Sequence, residues 1–352
     1  MSDALHTLAA AAPGAPDAAR DRKAEHIELA LDDRMQLERS HFDDYVFAHA
    51  ALPEIDAAAV DTSVEFLGKR LAAPLLVSCM TGGTEVASEI NRNLALAAER
   101  CGVAVGVGSQ RKALEDTGTA GSFQVREAAP GVPLLANLGA VQLNYGYGLE
   151  ECRRAVEMIA ADALVLHLNP LQEAIQPEGQ TDFSTLLPKL ETIARELAVP
   201  VIAKEVGSGI SGATARALAE RGIRIVDTAG VGGTSWARIE AARAGDAALG
   251  EVFADWGIPT PRSIVECRAV GGLTVIGSGG LRHGLDVAKA IALGADLAGM
   301  AWPFLAAATE SSQRVVERIE RVVRELRITM FCLGARTIAE LQRVPIHKRS
   351  ER

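Results

Sequence analysis

The chain has 352 residues, 48% of them apolar and 23% charged, and a formal net charge of −9. That is the balance of a globular protein with material for a large core. The acidic surplus argues against non-specific nucleic-acid binding, which needs a basic surface, and no apolar run approaches the ~18 residues that suggest a membrane span.

Residues 1–20 are rich in Ala, Pro and Gly without apolar periodicity, which predicts a disordered extension. They lack the basic stretch followed by an apolar run that marks a secretion signal. A helix is predicted from Asp21 to Leu31, opening an N-terminal segment over 21–73. It begins with Arg22-Lys23-Ala24-Glu25-His26. Two adjacent cations and a histidine suit a phosphate clamp; a solvated helix start is the plainer alternative.

From residue 74 to 308 one pattern repeats: a short apolar run, a polar or Gly-rich turn, then a helical stretch. The runs are 74–79, 103–107, 133–137, 163–168, 199–204, 223–228, 273–277 and 296–301. Helix-like spacing of Ala and Leu fills 85–100, 149–161, 184–197, 212–221 and 283–293. Alternating strands and helices imply parallel pairing through right-handed crossovers, and eight units close into an α/β fold of the (β/α)₈ TIM-barrel type. An open doubly wound sheet is the alternative, but no G-x-G-x-x-G follows the first run. The connection 229–272, opening Ala-Gly-Val-Gly-Gly-Thr-Ser-Trp, is long enough to predict a functional loop. The C-terminal segment 309–352 is predicted to carry a long helix or helix pair over 309–343, for packing or oligomer contact. Five scattered cysteines without C-x-x-C spacing predict reduced thiols in a cytoplasmic protein.

The most informative stretch is 163–173, Ala-Leu-Val-Leu-His-Leu-Asn-Pro-Leu-Gln-Glu. Strand alternation puts His167 and Asn169 on one side, opposite Leu164, Leu166 and Leu168. Pro170 lacks an N–H, so the strand is predicted to stop there and Gln172 and Glu173 to lie in a loop. Four polar groups thus crowd the carboxyl end of one strand, where barrel enzymes keep their chemistry. A capped turn with a solvated Gln-Glu pair is the alternative.

Other strand ends are also polar. The first run ends in Ser78-Cys79-Met80-Thr81-Gly82-Gly83, whose glycines and methionine suit a flat aromatic cofactor. The second ends in Gly108-Ser109-Gln110-Arg111, the third in Asn137-Leu138-Gly139, the fifth in Lys204-Glu205 and the sixth in Asp227-Thr228. Lys204 either faces a ligand or is a buried lysine paired with Glu205 or Asp227. After the seventh run, Gly277-Ser278-Gly279-Gly280-Leu281-Arg282-His283 precedes a helix, so free N–H groups and the helix dipole can hold an anion. The eighth run ends in Gly299-Met300-Ala301, whose backbone can add donors.

Together, Arg22-Lys23 with His26, Met80-Thr81-Gly82-Gly83, Gly108-Ser109-Gln110-Arg111, His167 to Glu173, and Thr234-Ser235-Trp236 resemble the type 2 isopentenyl-diphosphate isomerases. The resemblance runs from about residue 21 to 343 without departure at these motifs. It implies a reversible 1,3-allylic shift between isopentenyl and dimethylallyl diphosphate, with reduced FMN, Mg²⁺ and NADPH as reductant. It implies an FMN site of Cys79, Met80, Thr81, Gly82, Ser109, Asn137, Lys204, Thr228, Gly279, Gly280, Met300 and Ala301. Arg22, Lys23, His26, Ser109, Arg111 and Gln172 would bind the isoprenoid diphosphate, with His167 and Asn169 beside it. Gln172, His167, Asn169, Lys204 and Trp236 would form the catalytic set, and Glu173 would hold Mg²⁺. A homotetramer or octamer, without nucleic acid or membrane, is also implied.

Each role has its own physics. Mg²⁺ commonly takes one or two carboxylates and fills its octahedron with phosphate oxygens and water, which suits a lone Glu173. An unactivated alkene is a poor base, so cationic character in it needs an electron-rich neighbour such as a reduced flavin. A neutral amide is no general base, so Gln172 would relay or position. Two other functions compete. An FMN-dependent oxidoreductase of 2-hydroxy acids needs a His base, and the segment after the sixth run has none. A non-catalytic flavin- or phosphate-binding barrel has little use for an amide and a carboxylate aimed into its pocket. A nucleotide dehydrogenase would need a cysteine in that loop, and none lies there.

Overall fold

The computed structural model describes residues 22–349; the extension predicted over 1–20 lies outside the described residues. Eight parallel strands form a closed barrel: β1 (Leu75–Val77), β2 (Ala104–Gly106), β3 (Leu134–Gly139), β4 (Ala163–Leu168), β5 (Val201–Glu205), β6 (Ile225–Asp227), β7 (Thr274–Ser278) and β8 (Leu297–Met300). Each lies within or across one of the eight apolar runs. β8 pairs with β1, and β6 with β7, so no edge strand remains.

Side-chain alternation explains both the core and the mouth. Leu76, Ala104, Leu135, Ala163, Val165, Ile202, Ile225, Ile276 and Leu297 point inward and fill the barrel with a dry layer. Each such Leu, Ile or Val contributes about 1.5–3 kcal/mol by leaving water. Two residues further along the same faces come Ser78, Asn137, His167, Lys204, Asp227, Ser278 and Gly299. Period-2 geometry therefore sets a polar layer on top of an apolar one, at the carboxyl end. The amino end is plugged by the hairpin Val64–Phe66 and Lys69–Leu71, whose Phe66 and Leu71 pack under that dry layer.

The outward residues, Leu164 and Leu166 among them, join the larger core under the helices. Helix Glu85–Cys101 starts where the Thr84 side chain accepts from Ala87 N–H and ends at Gly102 in the left-handed region. Leu149–Met158, Leu186–Glu196, Gly212–Glu220 and Gly284–Ala292 occupy the remaining predicted helical stretches. At the C-terminus, Ser312–Cys332 packs against both Glu85–Cys101 and Gly284–Ala292, completing the outer ring.

Two local expectations change. The connection 229–272 is not a long loop: it holds helices Trp236–Arg243, Ala247–Val252 and Thr260–Val270. Pro170 does not open a loop either. It occupies the first position of helix Pro170–Ile175, where its missing N–H costs no intrahelical bond.

Candidate active site

A cavity of about 520 Å³ opens at the carboxyl ends of the strands. Its floor is the polar layer and its roof is helix Arg22–Leu31. Arg22, Lys23, His26, Ile27 and Ala30 line it together because they share one helical face. The chain after this helix is stitched to the segment following β6: Leu37 N–H donates to Gly233 O (2.9 Å) and Ser235 N–H to Met35 O (2.8 Å). Arg282 donates to Leu37 O (2.5 Å) and Glu38 O (3.0 Å), tying the same stretch to the loop after β7.

The predicted residues converge here. Cys79, Met80, Thr81, Ser109, Arg111, Asn137, His167, Asn169, Gln172, Glu173, Lys204, Trp236, Gly279, Gly280, Met300 and Ala301 all line the cavity with Arg22, Lys23 and His26. Two do not. Gly82 lies against the Phe123 ring, where a Cβ would stand 1.9 Å from Cε1, so its absent side chain serves packing. Thr228 is fully buried, and its hydroxyl donates to Ser278 O at 3.2 Å, joining β6 to β7 behind the wall.

The stretch 167–173 is a hydrogen-bonded unit. His167 Nδ1 meets Asn137 Oδ1 at 2.9 Å. Asn169 Nδ2 donates to Gln172 Oε1 (3.0 Å) and Glu173 Oε1 (2.9 Å), while Gln180 N–H donates to Glu173 Oε2 (2.7 Å). Glu173 is buried, which excludes the solvated Gln-Glu pair. Gln172 Nε2 donates to Glu240 Oε1 at 2.7 Å, so both ends of its amide are fixed.

Sequence reasoning missed Glu240, which is 0% exposed. His26 Nε2 stands 3.0 Å from Glu240 Oε1, and Arg243 Nη1 2.7 Å from Oε2. Arg243 also reaches Glu25 (2.9 Å) and Glu178 (3.0 Å). Burial pushes the Glu240 carboxyl up, but the adjacent His26 ring and hydrogen bonds from Gln172 and Arg243 outweigh it and hold the group below its ordinary range. Gln176, with its amide turned to donate to Glu240 (3.3 Å), accepts from Arg22 (3.1 Å). The His26 ring meets Trp236 edge-on at 5.2 Å. Glu240 thus connects the roof helix, the Gln172 amide and the wall. Its position on helix Trp236–Arg243, four residues from Trp236, was the available signal.

Burial, with Lys23 and Lys204 nearby, pushes His167 down to about 3, so the folded protein keeps a neutral imidazole. The unfolded chain takes up that proton below about 6.5. Stability is therefore lost as pH falls from about 6.5 toward about 3. Burial moves Glu205 the other way, up to about 7, so its contribution is lost as pH rises toward that value. The His167→Gln variant is expected to unfold in urea with a shallower acid-side decline than wild type; parallel curves would refute the assignment.

After β7 the backbone turns through Gly279 (φ +104) and Gly280 (φ +76) against Gly232 and Gly233. A Cβ on Gly280 would stand 2.4 Å from the Gly232 carbonyl oxygen, so both the left-handed backbone and the contact require glycine. Gly280→Ala is expected to destabilise by roughly 2 kcal/mol or more and to weaken anion binding; an unchanged melting temperature would contradict it.

The donor set fits a flavin phosphate ester, a diphosphate and Mg²⁺. Ser78 Oγ, Gln142 Oε1 and Asn169 Oδ1 are buried, line the cavity and have no protein partner. Among the described residues no trio of His, Cys, Asp or Glu forms a self-sufficient metal cage. One carboxylate with neighbouring amide oxygens suits a hard cation that phosphate and water complete.

Fold and cavity define an α/β-barrel enzyme with its chemistry at the carboxyl ends of the strands. The sequence matches the FMN-dependent dehydrogenase family over residues 21–128 and 156–348. Isopentenyl-diphosphate delta-isomerase of Nostoc sp. (strain PCC 7120) is 51% identical over 329 residues, covering 92% of this chain and 94% of that one. The protein of the same name from Methanothrix thermoacetophila is 50% identical, covering 92% of each. A mandelate oxidase solved with an FMN adduct shares the fold, with TM-score 0.63, 20% identity and 92% of each chain covered. The chain belongs to the FMN-dependent dehydrogenase family and, within it, to the isopentenyl-diphosphate delta-isomerases.

Proposed function

We propose that the enzyme interconverts isopentenyl and dimethylallyl diphosphate by a 1,3-allylic proton shift, with reduced FMN, Mg²⁺, and NADPH as reductant of the flavin. The observation that carries this is Gln172, whose amide is locked between Asn169 and Glu240 in a cavity walled by cations and one buried carboxylate. When bound, reduced FMN supplies an electron-rich ring that stabilises positive charge on the reacting alkene.

The remaining roles belong to the chain. Met80, Thr81, Ser109, Asn137, Met300 and Ala301 would hold the flavin, Gly279 and Gly280 would receive its phosphate, and Lys204 would offset negative charge on the ring. Arg22, Lys23, His26 and Arg111 hold the diphosphate. Their charge is needed because substrate and cofactor are both anions. Neutral His167 binds as a hydrogen-bond partner. Glu173 would hold Mg²⁺, whose charge would offset that of the diphosphate, and Trp236 with Ile27 would keep water from the C5 chain. Glu240 stays ionised and orients Gln172, which steers the proton transfer without acting as a base. A cytoplasmic homo-oligomer, tetramer or octamer, is part of the same proposal; no helix among the described residues is long and apolar enough to cross a membrane.

The oxidoreductase alternative is disfavoured because Ala229 to Trp236 contains no histidine to act as base. The test is an anaerobic assay with reduced enzyme and Mg²⁺. The two C5 diphosphates should equilibrate while NADPH is consumed only to reduce the flavin. Stoichiometric consumption of NADPH, or protein that neither carries nor takes up FMN, would overturn the proposal.

A further inference from the structure

Asp227 belongs to the polar layer but is 1% exposed and, unlike its neighbours in that layer, does not itself line the cavity. Strand register sets it directly beside Lys204 on β5. Its Oδ2 stands 4.0 Å from Lys204 Nζ, and its Oδ1 accepts the Ser278 hydroxyl. Below it the dry layer of Ile202, Ile225 and Ile276 excludes water from the barrel axis. Lys204 also donates to the Glu205 carbonyl at 2.6 Å, so its ammonium is held by its own strand and countered from the neighbouring one.

We propose that Asp227 is a positioning residue for Lys204: it fixes the ammonium under the cofactor and offsets part of its charge, which lowers the reduction potential of the bound flavin. This rests on the reading that places FMN over Lys204. Reduction adds negative charge to the ring, which a cation favours and a nearby carboxylate disfavours, and the dry surroundings strengthen both effects. A lone Lys204 would make the reduced flavin easy to form and correspondingly less electron-rich. The buried Asp227 restores electron density to the ring, the property on which alkene stabilisation depends. Burial raises the Asp227 carboxyl, while Lys204 and the Ser278 hydroxyl oppose that shift.

The experiment is the midpoint potential of full-length, FMN-loaded protein. Asp227→Asn should raise it, shifting the ratio of reduced to oxidised flavin about tenfold, or about 30 mV for a two-electron couple. FMN stoichiometry should stay at the wild-type level. An unmoved or lowered potential overturns the proposal. Protein that takes up no FMN overturns the functional reading beneath it, and this inference with it. If the variant does not fold, infrared difference spectra of wild-type protein with ¹³C-aspartate decide the question. A carboxylate band perturbed on flavin reduction supports the proposal, and a protonated-carboxyl band or no aspartate signal refutes it.

Discussion

Replacing Glu240 with alanine is expected to cost about 3–5 kcal/mol of stability, the range for breaking a buried charge network. Arg243, with its side chain 11% exposed, would keep Glu25 and Glu178 but lose its innermost partner. Gln172 would lose its acceptor and His26 the carboxylate it stands beside. Urea unfolding of the two proteins gives the cost directly, and a difference below about 1 kcal/mol would place Glu240 among surface-like ion pairs. Glu240→Gln keeps the shape and separates charge from volume. It should retain much of the stability yet lower kcat more than it raises KM, because an amide pair can adopt orientations that a carboxylate forbids.

Glu173→Gln should lower kcat/KM by roughly 100-fold or more, on the scale of losing one fixed electrostatic contact to the reacting charge. The Glu173 carboxylate accepts from Asn169 and from the Gln180 backbone, and an amide nitrogen at either oxygen would face another donor. The variant should still bind FMN, since Glu173 lies on helix Pro170–Ile175 after β4 and not at the glycine cradle after β7. Initial rates titrated with Mg²⁺ should need far more metal for half-saturation. An unchanged Mg²⁺ requirement would remove Glu173 from the metal site.

Much of the barrel was legible because closure depends on local pattern. Each strand is a short apolar run, and its inward face goes from Ile202 to Lys204, or from Val165 to His167, by simple alternation. Such positions announce themselves, since a histidine or lysine two residues beyond an inward aliphatic must face the mouth. Helix Pro170–Ile175 was hidden because proline at a first helical position resembles proline that ends a strand. Helix Trp236–Arg243 was hidden for another reason: it buries Ala237, Ile239, Glu240 and Ala241, which do not form a clean apolar stripe. Glu240 therefore did not stand out as a site residue. Its partners His26 and Gln172 are remote in the chain, and no spacing rule connects them. Gly82 and Thr228 show the converse, where residues beside the right strand ends turn into neighbouring packing.

The roof over the mouth has an odd chronology. Residues 22–38 are made before the barrel strands, yet their docking partners, Gly233, Glu240, Arg243 and Arg282, are made some two hundred residues later. Contacts so distant along the chain form late, after the loops between them have closed. Closure of the barrel through β1 and β8 spans a like distance, so vessel and cover alike are completed only once the distal half of the chain is in place.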